Sequence, residues 1–241
     1  MAFVAKSKIG WIVMCVWSAG LTPQIAWATG DPWEGLNRNV FAFNEWTDNH
    51  ILRPTAKAYD KYVPRPVRSG VGNVFDNVFT PVIAVNQLLQ GKPKASLSDA
   101  GRFLLNTTVG IGGLFDVASK VGLAKHEEDF GQTFGVWGAE TGIYVVLPLL
   151  GPSNIRDGLG LAVSSLLNPI RFISPVEDRA AVTALYVLDL RADLIGVDEL
   201  VMGDRYLFRR DTYLQRRAFQ ISDGVSDDDP FEEDGFDDFE E

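Results

Sequence analysis

Few residues in this 241-residue chain are of a type and spacing that could do covalent chemistry. His126 stands directly before Glu127-Glu128-Asp129, groups that bind metals elsewhere. One histidine beside consecutive acids lacks the spacing that turns several ligands onto one ion, so the reading is a solvated loop and no metal is expected. His50 lies among polar neighbours and belongs to no nucleophile or metal motif. Gly110-Ile111-Gly112-Gly113 could wrap a phosphate. It lacks both the third glycine of a dinucleotide fingerprint and the Gly-Lys-Ser/Thr of a P-loop, so it reads as a tight turn between helices. There is no Gly-x-Ser-x-Gly elbow. Cys15 is the only cysteine, which leaves no material for a disulfide framework, and none for a zinc site or a thiol nucleophile beyond the N-terminal segment. The chain reads as a non-enzyme without a cofactor.

More informative are polar side chains set into apolar helices. Over residues 155–167 the helical period gathers Ile155, Leu159, Ala162, Val163, Leu166 and Leu167 on one side, which is expected to be buried. The other side holds Asp157, Gly160, Ser164, Ser165 and Asn168, small and mostly uncharged. Residues 182–195 are apolar nearly all round, with Tyr186, Asp189 and Asp193 on a narrow strip and Arg191 opposite. A helix of that kind is buried in protein or in lipid. Asp189 and Asp193 repel each other at i, i+4. They call for a cationic partner or a wet cavity, or the strip is that of a core helix meeting Arg179 or a more distant arginine.

The elements that must position these groups read as helical almost throughout. Asp31-Pro32 suits a helix start, with a capping oxygen before a proline whose missing N–H is no loss in the first turn. Trp33, Leu36, Val40, Phe41 and Phe43 follow on one arc, with Asn37 and Asn44 inside it. Pro66 opens a second helix carrying Val67, Val71, Val74, Phe75 and Val78 at helical spacing. Thr80-Pro81 is expected to start a third, closed by Gly91, and residues 102–109 continue a fourth ended by Gly110. Residues 143–150 are short, apolar and β-branched around Pro148, as consistent with a strand or extended segment as with helix. Apolar windows in the body fall well short of the roughly 20 residues a spanning helix needs.

The two ends differ from the body. Lys6 and Lys8 precede an apolar run over residues 9–21, then Pro23 and the small residues of Ala26-Trp27-Ala28. Residues 1–28 therefore read as a cleaved signal peptide, with Thr29 first in the mature chain. Met14, where an acylated cysteine would have a small residue before it, argues against lipidation at Cys15. Residues 223–241 hold eleven acids and no base, which predicts a disordered tail. The remaining 21 acids face 22 bases, so nothing in the body points to nucleic acid.

Taken in order, the motifs resemble the MlaA/VacJ family. The opening match is Asp31-Pro32-Trp33-Glu34-Gly35-Leu36-Asn37-Arg38 with Phe41-Ala42-Phe43-Asn44, followed by Arg53-Pro54, Tyr62-Val63-Pro64 and Leu89-Gln90-Gly91. Arg102-Phe103, Asn106-Thr107 and the stretch from Gly110 to Asp116 come next, then Phe130-Gly131-Gln132-Thr133 and Arg156-Asp157. Asp204, Tyr206 and Tyr213-Leu214-Gln215-Arg216-Arg217 close it. The resemblance implies an all-α, mostly helical domain over residues 29–222: a monotopic ring of amphipathic helices around a central channel, with extended connecting segments. It implies a place on the periplasmic side of the outer membrane, and work with an outer-membrane porin and a periplasmic lipid carrier. The implied function is to remove mislocalised phospholipid from the outer leaflet. The family is typically lipid-anchored, and Cys15 departs from that pattern.

On this reading Asp157, Gly160, Ser164, Ser165, Asp189, Asp193, Asn37 and Asn44 are candidates for the lipid channel. Small hydroxyls could meet a headgroup without a fixed charge that traps it. Asn37 and Asn44 are read either as buried caps for a neighbouring segment or as polar points near the lipid path. A soluble periplasmic lipid-binding protein or a structural envelope protein is the alternative.

Overall fold

Pro64 and Pro66 explain where the first break falls. In the computed structural model, which describes residues 31–196 and 203–224, α1 (Glu34–Thr47) runs through a π-helical turn at Asp48–Leu52 into α2 (Arg53–Tyr62). Val63 is then extended, as a residue before proline prefers. The signal-peptide reading and nearly all of the acidic tail fall outside the described residues. The described residues from Pro32 onward form one unit.

The next helix corrects an expectation. α3 (Arg65–Leu89) passes straight through Pro81, where the sequence suggests a new start. Pro81 forgoes one backbone hydrogen bond, yet packing of α3 along α4 (Pro93–Thr108), the most extensive helix contact here, keeps the rod intact. Thr80 turns its hydroxyl back onto the Asp76 carbonyl at 2.8 Å, using its capping group inside the helix instead of at an end.

Short elements follow. The one-turn α5 (Val117–Lys120) and α6 (Phe130–Val136) lead to a hairpin of β1 (Tyr144–Leu147) and β2 (Gly151–Asn154), paired antiparallel from Tyr144↔Asn154 to Leu147↔Gly151. The apolar run at 143–150 is thus a strand and its turn. Asn154 ends β2 and caps α7 (Ile155–Leu167), its side chain accepting from the Asp157 N–H at 2.8 Å. A 3-10 turn at Pro169–Phe172 precedes α8 (Val176–Asp193), and Asp204 caps α9 (Arg205–Ile221) through the Tyr206 and Leu207 N–H groups. The fold is mostly α.

The distribution of side chains is inverted relative to a water-soluble domain. Among the described residues, more buried side chains are polar or charged than hydrophobic. The largest fully buried ones include Gln87, Asn37, Asn86, Asn154 and Asp99. Large apolar side chains meanwhile face outward on nearly every helix, Leu97 at 75% and Phe172 at 76% exposure. Water would penalise such a surface. Leu166, expected inside, is 58% exposed: the period gives the apolar side of α7, but that side points away from the protein. No single described helix is long and apolar enough to cross a membrane; Ile155–Phe172 with Val176–Asp193, bent by 116°, could do so as a pair by length and composition.

Candidate lipid path and the polar interior

Arg217 holds together three segments that are far apart in sequence. From α9 it donates through Nη1 and Nη2 to Asp129, the cap of α6, at 2.7 and 3.0 Å, and through Nε to Asp157 of α7 at 2.8 Å. Asp157 also accepts from the Tyr213 hydroxyl at 2.5 Å, Asn154 Nδ2 at 2.7 Å and Arg156 Nε at 3.0 Å. Burial opposes the charge on both carboxyls. The Arg217 hydrogen bonds and charge outweigh it, helped by Tyr213 and Arg156 at Asp157, and hold both groups below the usual carboxylate range.

Two glycines make room for this node. A Cβ on Gly160 would lie 2.3 Å from the Gly131 backbone nitrogen, and one on Gly131 would lie 2.6 Å from Arg217 Nη2 and Asp157 Oδ1. The Gly160 half of the polar stripe on α7 is therefore a helix contact. Its continuation differs: Ser164 is half-buried and Ser165 exposed, with the Ser165 hydroxyl turned onto the Ala162 carbonyl at 2.7 Å.

Asn37 and Asn44 share one task. Asn37 Nδ2 donates to the Tyr144 carbonyl at 3.1 Å, and its Oδ1 accepts from the Val146 N–H at 2.8 Å. One heptad on, Asn44 gives to the Leu147 carbonyl at 2.9 Å and takes from the Leu149 N–H at 2.7 Å. Both amides cap the hairpin, satisfying strand groups that would otherwise be orphaned. Arg38, between them, bonds Asp204 at 2.8 Å and lies 4.5 Å over the Tyr206 ring, joining α1 to α9.

Asp189 and Asp193 part company. Asp189 is buried and accepts from the Tyr59 hydroxyl at 2.9 Å, while Asp193 is exposed. Burial pushes the Asp189 carboxyl above its ordinary value, and burial with Asp189 as acceptor pushes the Tyr59 hydroxyl up to about 12. Arg191 on the same helix reaches Asp48 in a two-pronged pair at 2.6 and 2.9 Å, and Arg179 donates to the Arg171 carbonyl. The hydrogen-bond partner of Asp189 is thus a phenol, not a cation.

The glycine turn is built from α4. Ile111, Gly112 and Gly113 all have positive φ, and a Cβ at Gly113 would sit 2.5 Å from that of Asn77 on α3. Asn106 Oδ1 accepts from the N–H groups of Val117 and Ala118 at 2.9 Å each, and Arg102 reaches Asp116, Ser119 and the Leu123 carbonyl. His126 pairs with Asp99, which also accepts from Gln87, and Asn86 accepts from Thr133. These side chains lock the turn and its helices.

Asp116 makes this turn acid-sensitive. Burial resists its charge, but hydrogen bonds from the Ser119 hydroxyl and N–H and from Asn106, with the Arg102 charge, bring it down to about 2. A carboxyl lowered on folding stabilises the protein above its unfolded value near 3.8 and loses that contribution as pH falls toward 2. Denaturant melts of detergent-solubilised protein should show stability falling from pH 5 to about pH 2, and less steeply in Asp116→Asn. Equal slopes for both proteins would remove Asp116 from the account.

A family model described as MlaA lipoprotein matches residues 29–220. The chain belongs to the MlaA family. Among its relatives, the intermembrane phospholipid transport system lipoprotein MlaA of Shigella flexneri is 36% identical over 201 residues, 80% of this chain and 79% of that protein. The protein of that name from Escherichia coli K12 is 35% identical over 201 residues, with the same coverage. An uncharacterized protein of Rickettsia typhi is 38% identical over 173 residues, 71% of this chain and 69% of its own. A structure solved to give the structural basis for maintenance of bacterial outer membrane lipid asymmetry aligns with a TM-score of 0.71 at 36% identity, covering 80% of this chain and 99% of that one. The MlaA motifs read along the sequence are the residues that tie the helices together: Asn37-Arg38, Asn106, Gly131, Asp157 and Arg217.

Proposed function

We propose that this protein removes mislocalised phospholipid from the outer leaflet of the outer membrane and delivers it to a periplasmic carrier, maintaining lipid asymmetry. The observation that carries the reading is the inverted distribution of side chains. A body with a hydrogen-bonded polar interior and an outward apolar surface is suited to lie in one leaflet as a monotopic protein. MlaA membership and the transport role named for its relatives agree with that. The helices would ring a channel, beside a porin as neighbour. The path for the headgroup would follow Ser164 and Ser165 beyond the α6 contact, with the exposed Asp193 a separate candidate at the end of α8. Asp157, Gly160, Asp189, Asn37 and Asn44 would shape it from behind.

Relatives are named lipoproteins, whereas Ala26-Trp27-Ala28 favours cleavage before Thr29 and Met14 disfavours acylation at Cys15. One experiment covers both matters. The protein should fractionate with the outer membrane, its intact mass should match an unacylated chain from Thr29, and its deletion should let phospholipid accumulate in the outer leaflet. An acylated N-terminal cysteine would overturn the anchor reading alone. Unchanged outer-leaflet phospholipid on deletion would overturn the function, and recovery in the soluble fraction would favour a soluble lipid-binding protein.

A further inference from the structure

The hairpin that Asn37 and Asn44 hold has a second face. Between α1, β1 and the first turns of α7 lies a cleft of about 540 Å³, within the roughly 300–1,000 Å³ of small-molecule sites. Trp33, Leu36, Val40, Leu147, Ile155 and Leu159 wall it. Its polar lining residues, Asn37 and Asn154, are buried, and their amides are engaged with the hairpin and with Asp157 and Tyr213. Among the described residues, no charged one lines it.

The chemistry of the occupant follows from what the walls withhold. A peptide entering beside β1 brings N–H and C=O groups that need partners. The edge of β1 that could supply them is closed by the two asparagine amides, from the Tyr144 carbonyl to the Leu149 N–H. A strand therefore cannot add there, the usual way an extended segment docks on a hairpin. An alkyl chain needs no hydrogen bonds and gains by leaving water. The geometry points to this cleft as a subsite for one acyl chain of a phospholipid. It is separate from the small-residue stripe of α7 and rests on the proposed transport function.

Gly158 provides the test, because it lines the cleft and a Cβ there meets nothing closer than Ser153 Oγ at 3.9 Å. Gly158→Leu should fill the cleft while improving the helix, raising the melting temperature by about 2–4 °C. With Trp46 and Trp137 changed to Phe, Trp33 is the sole tryptophan after residue 28. Phosphatidylcholine brominated in mid-chain, titrated into mature protein beginning at Thr29 in unbrominated detergent, should quench Trp33 saturably at one lipid per protein. Gly158→Leu should weaken that quenching about tenfold, and Gly158→Ala should keep it. Undiminished quenching in a folded Gly158→Leu protein, or quenching that rises without saturation because Trp33 merely faces the micelle, overturns the subsite and leaves the transport reading standing. Failure of the wild type to bind phospholipid by native mass spectrometry overturns both.

Discussion

Arg217→Met should destabilise the protein by about 3–5 kcal/mol, because it strands two carboxylates that are held ionised by one guanidinium. Arg217 and Asp157 are both largely buried, and Asp129 is the cap that starts α6. The neighbouring Arg216 gives the control. It pairs with Glu127 at 3.0 Å, but both side chains are about two-thirds exposed. Arg216→Met should cost less than about 1 kcal/mol. Denaturant melts of the two variants in the same detergent decide the matter. Similar losses for both would mean that the node at Asp157 does not hold α6, α7 and α9 together. Gly160→Trp should resemble Arg217→Met, since its side chain would collide with the Gly131 backbone; it is a folding variant and cannot report on lipid passage.

Asn37 and Asn44 show what a sequence can and cannot disclose here. Their seven-residue spacing within an apolar arc is legible as a pair of caps. The segment they cap lies more than 100 residues away, and no local signal encodes that pairing. The run 143–150 is only half legible: its β-branched residues and proline suit an extended segment but leave helix equally open, and the hairpin decides it. Pro81 misleads because proline is a local stop signal, and the long contact of α3 with α4 overrides it. Asp157 and Gly160 occur on the small, polar side of α7, where periodicity alone cannot tell a wall of a channel from a seat for another helix. The partners that decide it, Gly131 and Arg217, come from distant motifs. The cleft beside β1 leaves a faint trace, an all-apolar strand in which only Tyr144 and Val146 are buried.

The direction of each apolar face is the larger omission. Hydrophobic periodicity identifies a face; it does not say whether protein or lipid covers it. Ile155, Leu159, Leu166 and Leu167 look like core residues by spacing, and all are exposed. Buried Asn86, Gln87, Asp99 and Arg102 supply the complementary clue, because helices surrounded by lipid gain little by burying leucine against leucine and associate through small and polar contacts instead.

That inversion fixes the expected contrast between Ser164→Arg and Leu166→Asp. Ser164 lies one turn beyond Gly160 and is half-buried. An arginine there adds bulk and a charge that would bind a passing phosphate. The variant should accumulate in the outer membrane at normal level and melt normally, yet fail almost completely to maintain asymmetry, seen as sensitivity to detergent with chelator. Leu166→Asp places its charge on a surface that already faces outward, so the protein in detergent should remain folded. In a bilayer the same charge costs up to about 2.5–3.5 kcal/mol at the centre and less near the headgroups, so membrane association should weaken while folding does not. Full function in abundant Ser164→Arg protein would move the lipid path off this face of α7. Loss of folding by Leu166→Asp in detergent would instead mean that Leu166 packs against protein, and that the outward surface of α7 has been assigned to the wrong medium.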